Sequence, residues 1–348
     1  MNKSVVLNIL KHLPIGGLFK LFYSGEGSIL FMHKVVKQQT SKPRIHLMKA
    51  NEIEVEFLEE MLVYLKEKYD VISLDEMCSR LKSKVKQKKK FIVITFDDGY
   101  KDNLTLAYPI FKKLNIPFTI YVTNCYPNKT AKLWWYMLED ILLENENIQF
   151  THNNKSYKFK AKKKYQKDVS FEEIRGVIIN ASTEKQAQLL AQLEKSYDKN
   201  LEDYVFREAL SWNEINTLSK DPLVNIGCHT KNHLALNKLT KDDQLKEVLG
   251  SKSEIDRKIV INSRHFAYPF GTSNEVNDTE INNIKSTRCI KTATTTRMGN
   301  IFYEHKNNLH ALPRIQVLGT QQDLSILDLY LCGVLPALKN KFKKVITL

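Results

Sequence analysis

Two acidic residues stand side by side in Thr95-Phe96-Asp97-Asp98-Gly99-Tyr100, directly after the apolar run at 91–95. Adjacent carboxylates point in different directions, so one can bind a metal while its neighbour takes a proton. Asp-Gly is also a common turn pair. Position favours chemistry, because parallel α/β folds carry their sites beyond the carboxyl ends of their strands. A second cluster, Gly227-Cys228-His229-Thr230-Lys231-Asn232-His233, follows another apolar run. If that segment is helical, His229 and His233 lie one turn apart on one face and can grip one ion. Asp98 would complete a set of three protein ligands. Positions for water and substrate then stay open, as in a catalytic metal site. Cys228 has no Cys-x-x-Cys partner and reads as packing.

These clusters need strands to position them. The run at 91–95 is β-branched, apolar and too short for a helix, which predicts a strand buried on both faces. Strands are also expected at 118–122, 223–227, 265–269, near 289–292 and at 312–317, with helices at 53–65, after Ser73, before Leu114, at about 240–258 and at 277–287. Ser73 to Glu76 has the spacing of a capping box. Such alternation predicts an α/β fold with a parallel sheet, open or closed into a barrel. Residues 128–211 break the rhythm with a tryptophan-rich helical stretch, a hairpin around Asn153-Asn154 and helices rich in lysine and glutamate. They read as an insertion. Residues 1–40 are set apart as an N-terminal segment, and 41–348 as the barrel that carries the insertion.

Taken in order, TFDDGY (95–100), HTxxH (229–233), FAYPFG (266–271) and LPRI (312–315) resemble the polysaccharide deacetylase (NodB-type) family of metal-dependent carbohydrate esterases. The resemblance covers roughly 90–125 and 210–320 and implies a distorted (β/α) barrel of about seven strands. It implies Asp97 as the general base, Asp98, His229 and His233 as the metal ligands, and the backbone N–H of Phe270 as an oxyanion donor. Two departures stand out. Many members have Arg-x-Pro-Tyr where this chain has Ala267-Tyr268-Pro269-Phe270, and Arg314 is the residue that could supply the missing charge. The usual late Leu-x-His acid is not clear in Leu309-His310. Leu30-Phe31-Met32-His33-Lys34-Val35 instead resembles a segment that supplies the acid histidine in a rearranged branch of the family, so His33 is preferred to His310.

The implied reaction removes an N-acetyl group from a glycan or lipid-linked saccharide. A divalent metal, with zinc first given two imidazoles and a carboxylate, would polarise the carbonyl and lower the pKa of water toward ~7. A histidine that titrates near neutrality would protonate the departing amine. An O-acetyl esterase, a hydrolase of another non-peptide C–N bond and a catalytically weak glycan-binding homologue are the alternatives.

Composition sets the outer bounds. With 348 residues, of which 43% are hydrophobic, general disorder is excluded. The longest apolar runs fall short of the ~20 residues of a membrane span, which excludes a polytopic membrane protein. Five scattered cysteines read as reduced thiols. Lys11 and His12 interrupt the apolar start, so the chain is expected to be cytoplasmic, at the inner face of a membrane if it meets one. The net charge of +14 comes with no zinc-finger or RNA-binding pattern, so no nucleic-acid partner is expected. Lysines flank apolar stretches near both ends, and two readings stay open there: helices packed on the barrel, or peripheral contact with an anionic membrane.

Overall fold

The computed structural model describes residues 7, 9–10, 16–38, 44–83 and 87–347. Seven parallel strands form a closed ring in chain order: β1 (Gly27–Met32), β2 (Phe91–Phe96), β3 (Phe118–Val122), β4 (Val224–Cys228), β5 (His265–Ala267), β6 (Thr292–Met298) and β7 (Leu312–Gln316). Each strand pairs with the next, and β7 returns to β1 through Leu30↔Ile315 and Phe31↔Gln316. A two-residue strand, Asp70–Val71, pairs with the start of β2, while β3 joins β2 only from Thr95↔Thr119 onward. Gly27–Met32, inside the 1–40 segment, is therefore a barrel strand.

The ring forms because its strands are apolar on both sides. All six residues of β1 and of β2, and all five of β3, are buried. Side chains alternate in a strand, so residues two apart share a face. Leu30, Met32, Ile92, Ile94, Phe96, Ile120 and Val122 pack with the surrounding helices, among them Val55–Lys68 through Phe57, Leu58, Met61, Leu62 and Leu65. The alternate row, Ile29, Phe91, Val93, Tyr121, Ala267 and Leu312, forms a separate cluster with Leu74, Met77, Cys78 and Leu81. The helix that carries those four, Leu74–Lys82, thus plugs the amino-terminal end of the barrel. Its cap forms as the sequence predicts, with Ser73 Oγ accepting from the N–H of Glu76 at 3.1 Å. Asp75, in its first turn, pairs with Lys291, Arg264 and His265, all beside the amino ends of β5 and β6.

The chain divides into two compact units. One holds the barrel (1–38, 52–128 and 210–348) and the other comprises 39–51 and 129–209. In the second unit, strands Asn147–His152 and Lys155–Lys160 form a hairpin whose turn is Asn153-Asn154, with φ of 52° and 59°. Left-handed backbone at both central positions matches the right-handed strand twist, and asparagine tolerates it. Helices Trp134–Glu144, Lys164–Asn180, Thr183–Tyr197 and Leu201–Glu208 accompany the hairpin, and Glu139 is buried against Arg44, whose Nε donates to it at 2.8 Å. Among the described residues no helix is long and apolar enough to cross a membrane.

Candidate active site

Asp97 continues the inward row of β2: Phe91, Val93, Thr95, Asp97. Its N–H donates to the carbonyl of Met32 at 2.9 Å, so β1 and β2 end together and His33 begins beside Asp97. Arg314 lies on the inward row of β7, two residues beyond Leu312, and has no solvent exposure. Its Nη1 and Nη2 donate to the two Asp97 oxygens at 2.7 and 2.8 Å, Nη1 also to Thr95 Oγ1 at 3.2 Å, and Nε to the Thr295 carbonyl at 2.9 Å. The guanidinium carbon lies 4.3 Å from the Phe31 ring centroid. This is the two-pronged geometry that a carboxylate and an arginine make best. Burial pushes the Asp97 carboxyl up, but the Arg314 guanidinium, with His229 and His33, more than offsets it and holds the group below the ordinary range.

Asp98 turns the other way, with φ of 75°. Its Oδ1 faces His233 Nε2 at 3.3 Å and His229 Nε2 at 3.5 Å, and one ligand atom from each of the three lies within 4.8 Å of the others. His229 Nδ1 is 2.8 Å from the Ala267 carbonyl, an acceptor only, so the ring proton sits on Nδ1 and the Nε2 lone pair points at Asp98. Burial, as the chief cause, pushes the His229 pKa down to about 4, so the ring is neutral near pH 7. Burial opposes the Asp98 carboxylate and the His233 imidazolium alike. Their mutual attraction wins, lowering Asp98 and raising His233. Asp98 Oδ1 is buried, and no well-formed hydrogen bond satisfies it. A carboxylate oxygen and a bare imidazole nitrogen that face each other at 3.5 Å are two acceptors without a donor. A cation between them resolves that conflict, and two nitrogens with one oxygen suit a first-row divalent ion.

The segment that brings the histidines together is not a helix. After β4 the chain runs irregularly through residues 229–233, with Thr230 at φ 64° and His233 at φ 55°. The one-turn spacing expected for His-x-x-x-His is therefore replaced by a folded loop that swings His233 back toward His229, ring centroids 4.9 Å apart. Two elements hold the loop. The Thr230 carbonyl accepts from Asn124 N–H and Thr123 Oγ1, both at 3.2 Å, and the Lys231 carbonyl accepts from Cys125 N–H at 2.7 Å. Glu247, on helix Lys241–Ile259, accepts from the N–H of Asn232 at 2.9 Å and from its Nδ2 at 2.7 Å. One turn further, Ser251 and then Glu254 bond the Asn124 side chain at 2.6 and 2.7 Å. Gly227 lies against Tyr121, where a Cβ would be 2.6 Å from the ring, so only glycine fits before Cys228. Cys228 is buried against Ser263, and burial pushes its thiol up to about 12, an inert group as the packing reading had it.

Phe270 sits at φ 61° beyond β5, half-exposed, with its ring edge-on to His233 at 5.1 Å. His33 follows β1 directly, on the same rim as both aspartates. Its carbonyl accepts from Asn103 Nδ2 at 2.9 Å, Asp102 accepts from the N–H of Val35 at 2.8 Å, and its buried Nδ1 has no partner among the described residues. His310 precedes β7 and so lies at the opposite end of the barrel, where its Nε2 meets the Ile290 carbonyl at 2.9 Å. The structure thus brings six of the named residues, Asp97, Asp98, His229, His233, Arg314 and Phe270, to the carboxyl-end rim with His33, and leaves His310 away from it. Sequence reasoning missed Asn103, Asp102, Glu247 and Asn124, which hold the loops. Glu247 and Ser251 did carry a signal, being polar residues on the helix face that also presents Val248 and Ile255 to the core.

Comparison with known proteins agrees with this fold. The family model described as polysaccharide deacetylase matches residues 84–287. A curated protein, YxkH of Bacillus subtilis (strain 168), is 39% identical over 54 residues, a match that spans 16% of this chain and only 19% of that protein. Three solved structures share the fold. A Streptococcus pyogenes deacetylase, PplD, in complex with acetate, is 19% identical, with 88% of this chain and 97% of that one covered at a TM-score of 0.56. A de-N-acetylase from Aggregatibacter actinomycetemcomitans is 16% identical (86% and 98% covered, TM-score 0.54). IcaB from Ammonifex degensii is 15% identical (88% and 98% covered, TM-score 0.54).

Proposed function

Because the chain belongs to the polysaccharide deacetylase family, we propose that it removes N-acetyl groups from a glycan, free or lipid-linked, with the help of a divalent metal. The observation that carries the reading is the meeting of Asp98 Oδ1 with two histidine Nε2 atoms, next to a second carboxylate that a buried arginine keeps out of that set. Asp98, His229 and His233 would hold the ion, with zinc the first choice for this donor set. When bound, a divalent ion supplies Lewis-acid polarisation of an acyl carbonyl and acidifies water.

The remaining work falls to this chain's own groups. Asp97 is ionised near neutral pH, and each of its oxygens keeps a lone pair beyond the one that faces Arg314, so it can take a proton from water at the rim. Arg314 fixes the direction of those lone pairs. His33 stands on the same rim at the end of β1, where an imidazolium can give its proton to a departing amine. The N–H of Phe270 is the donor assigned to the oxyanion. The complete set of ligands and base supports an enzyme over a binding homologue.

Acetate release from a panel of N-acetylated oligosaccharides, O-acetylated glycans and lipid-linked saccharides tests the reading, with and without chelator. Release from N-acetylated substrates, lost with chelator and restored by zinc, is expected. Activity on O-acetyl substrates alone, or indifference to chelator, would overturn it. Asp97→Asn should retain stoichiometric metal while turnover falls by at least ~10²-fold.

A further inference from the structure

The helix Gly16–Tyr23 is apolar on both of its faces. One face, Phe19 and Tyr23, is half-buried and meets the Phe342 ring, centroids 6.5 and 6.0 Å away. The other, Leu18, Leu21 and Phe22, follows i, i+3, i+4 spacing and is 63%, 79% and 53% exposed. A helix apolar all round is stable only when its second face is also covered. Helix Val334–Lys339 packs alongside with Leu338, and the turn after it adds Phe342, both about half exposed.

The charge around this patch is mostly positive, with Glu26 the exposed acid beside it. Lys20, Lys339, Lys341, Lys343 and Lys344 are exposed, and Lys344 Nζ lies 5.7 Å from the Phe22 ring. No aspartate or glutamate occurs in residues 1–25 or 329–348. A protein partner with an apolar core would not call for that excess of positive charge. A sheet of anionic headgroups over an apolar interior does.

We propose that this face docks on an anionic lipid bilayer, with Leu18, Leu21 and Phe22 entering the headgroup boundary and the five lysines on the headgroups. The helix leads directly into the start of β1, and Lys90, just before β2, bonds the Gly25 carbonyl. The face therefore belongs to the amino-terminal end of the barrel, whereas Asp97, Asp98 and the two histidines lie beyond the carboxyl ends. A bilayer seated there leaves the barrel mouth directed to glycan in the aqueous phase.

Co-sedimentation of the full chain with vesicles tests this independently of catalysis. Vesicles of phosphatidylcholine mixed with phosphatidylglycerol should bind the chain at low salt at least ~10-fold more tightly than phosphatidylcholine alone, and the difference should shrink at high salt. Leu21→Glu combined with Phe22→Glu should weaken that binding at least ~10-fold, with melting temperature and acetate release from soluble substrate unchanged. Should that variant fail to fold, Lys339→Glu with Lys341→Glu and Lys343→Glu provides the same test on solvent-exposed positions. Absence of binding to the anionic vesicles at low salt, or undiminished binding by the charge-reversed variant, would overturn the proposal. So would self-association of the wild-type chain that Leu21→Glu and Phe22→Glu abolish, since the face would then be a subunit interface.

Discussion

Arg314→Met removes the counter-ion of a buried carboxylate. In the native barrel, Asp97 is 2% exposed and spends both oxygens on Arg314. Methionine fills much of the same volume between Phe31 and Tyr121 but offers no donor, so the variant leaves a buried, unpaired charge. Breaking a buried pair from one side costs about 3–5 kcal/mol. At roughly 2 °C per kcal/mol for a unit the size of this barrel, the melting temperature should fall by about 6–10 °C. Adding Asp97→Asn removes the stranded charge, so the double variant should be more stable than the sum of the single losses predicts, with a coupling of at least ~1.5 kcal/mol. Thermal and urea unfolding of the four proteins measure both quantities. Arg314→Lys keeps a charge but not the fork, and should fall between wild type and methionine. A melting temperature for Arg314→Met within ~2 °C of wild type, or strictly additive losses, would refute the view that this ion pair is buried and coupled.

His229→Ala should lower bound zinc sharply by metal analysis, and full stoichiometric metal in that variant would remove it from the ligand set. His33→Ala should damage turnover more than His310→Ala, because only His33 stands on the rim with Asp97; the reverse ranking in steady-state kinetics would move the acid to the other histidine. Val260 caps helix Lys241–Ile259 at φ 54° and is 89% exposed. A β-branched residue is strained in that region, so Val260→Gly should stabilise the protein by about 1 kcal/mol, and a measured loss in urea unfolding would contradict the strain. Asp75 is held well below the usual carboxylate range, first by His265 and also by Lys291, against burial. A depressed carboxyl contributes stability above its unfolded pKa of ~3.9 and loses it as pH falls. The stability gap between wild type and Asp75→Asn should therefore narrow steadily below pH ~4, and a gap constant with pH would exclude the linkage.

The strand ends were legible because the barrel buries them on both faces. Residues 91–95, 118–122, 223–227 and 312–317 each read as strands for that reason, and the structure places strands there within a residue or two. β6 was read at 289–292 and runs from Thr292 to Met298, since a threonine-rich strand gives little hydrophobic signal. β1 was missed as a barrel strand because Gly27–Met32 stands apart from the βα rhythm, more than fifty residues ahead of β2. The residue types of the site were plain in the sequence, but their convergence was not. Thr230 and His233 adopt left-handed backbone that their side chains disfavour, and the contacts that enforce it come from Glu247 and Cys125, distant in the chain. The pairing of Arg314 with Asp97 depends on which face of β7 points inward, which follows only once the ring is closed.

That closure ties the site to the order of synthesis. Strands β1 to β6 are neighbours in chain order and can pair as they emerge, but the ring is completed only when β7 meets β1. Arg314 lies on β7 and reaches Asp97 across 217 residues. Until residue 314 is made, the carboxylate assigned as base has no counter-ion, and a barrel one strand short leaves two open edges on which other chains can pair. Contacts this distant in sequence form slowly. A ribosome-bound chain that stops before residue 312 is thus both without its paired aspartate and most open to misassembly, and release of the last strand ends both conditions together.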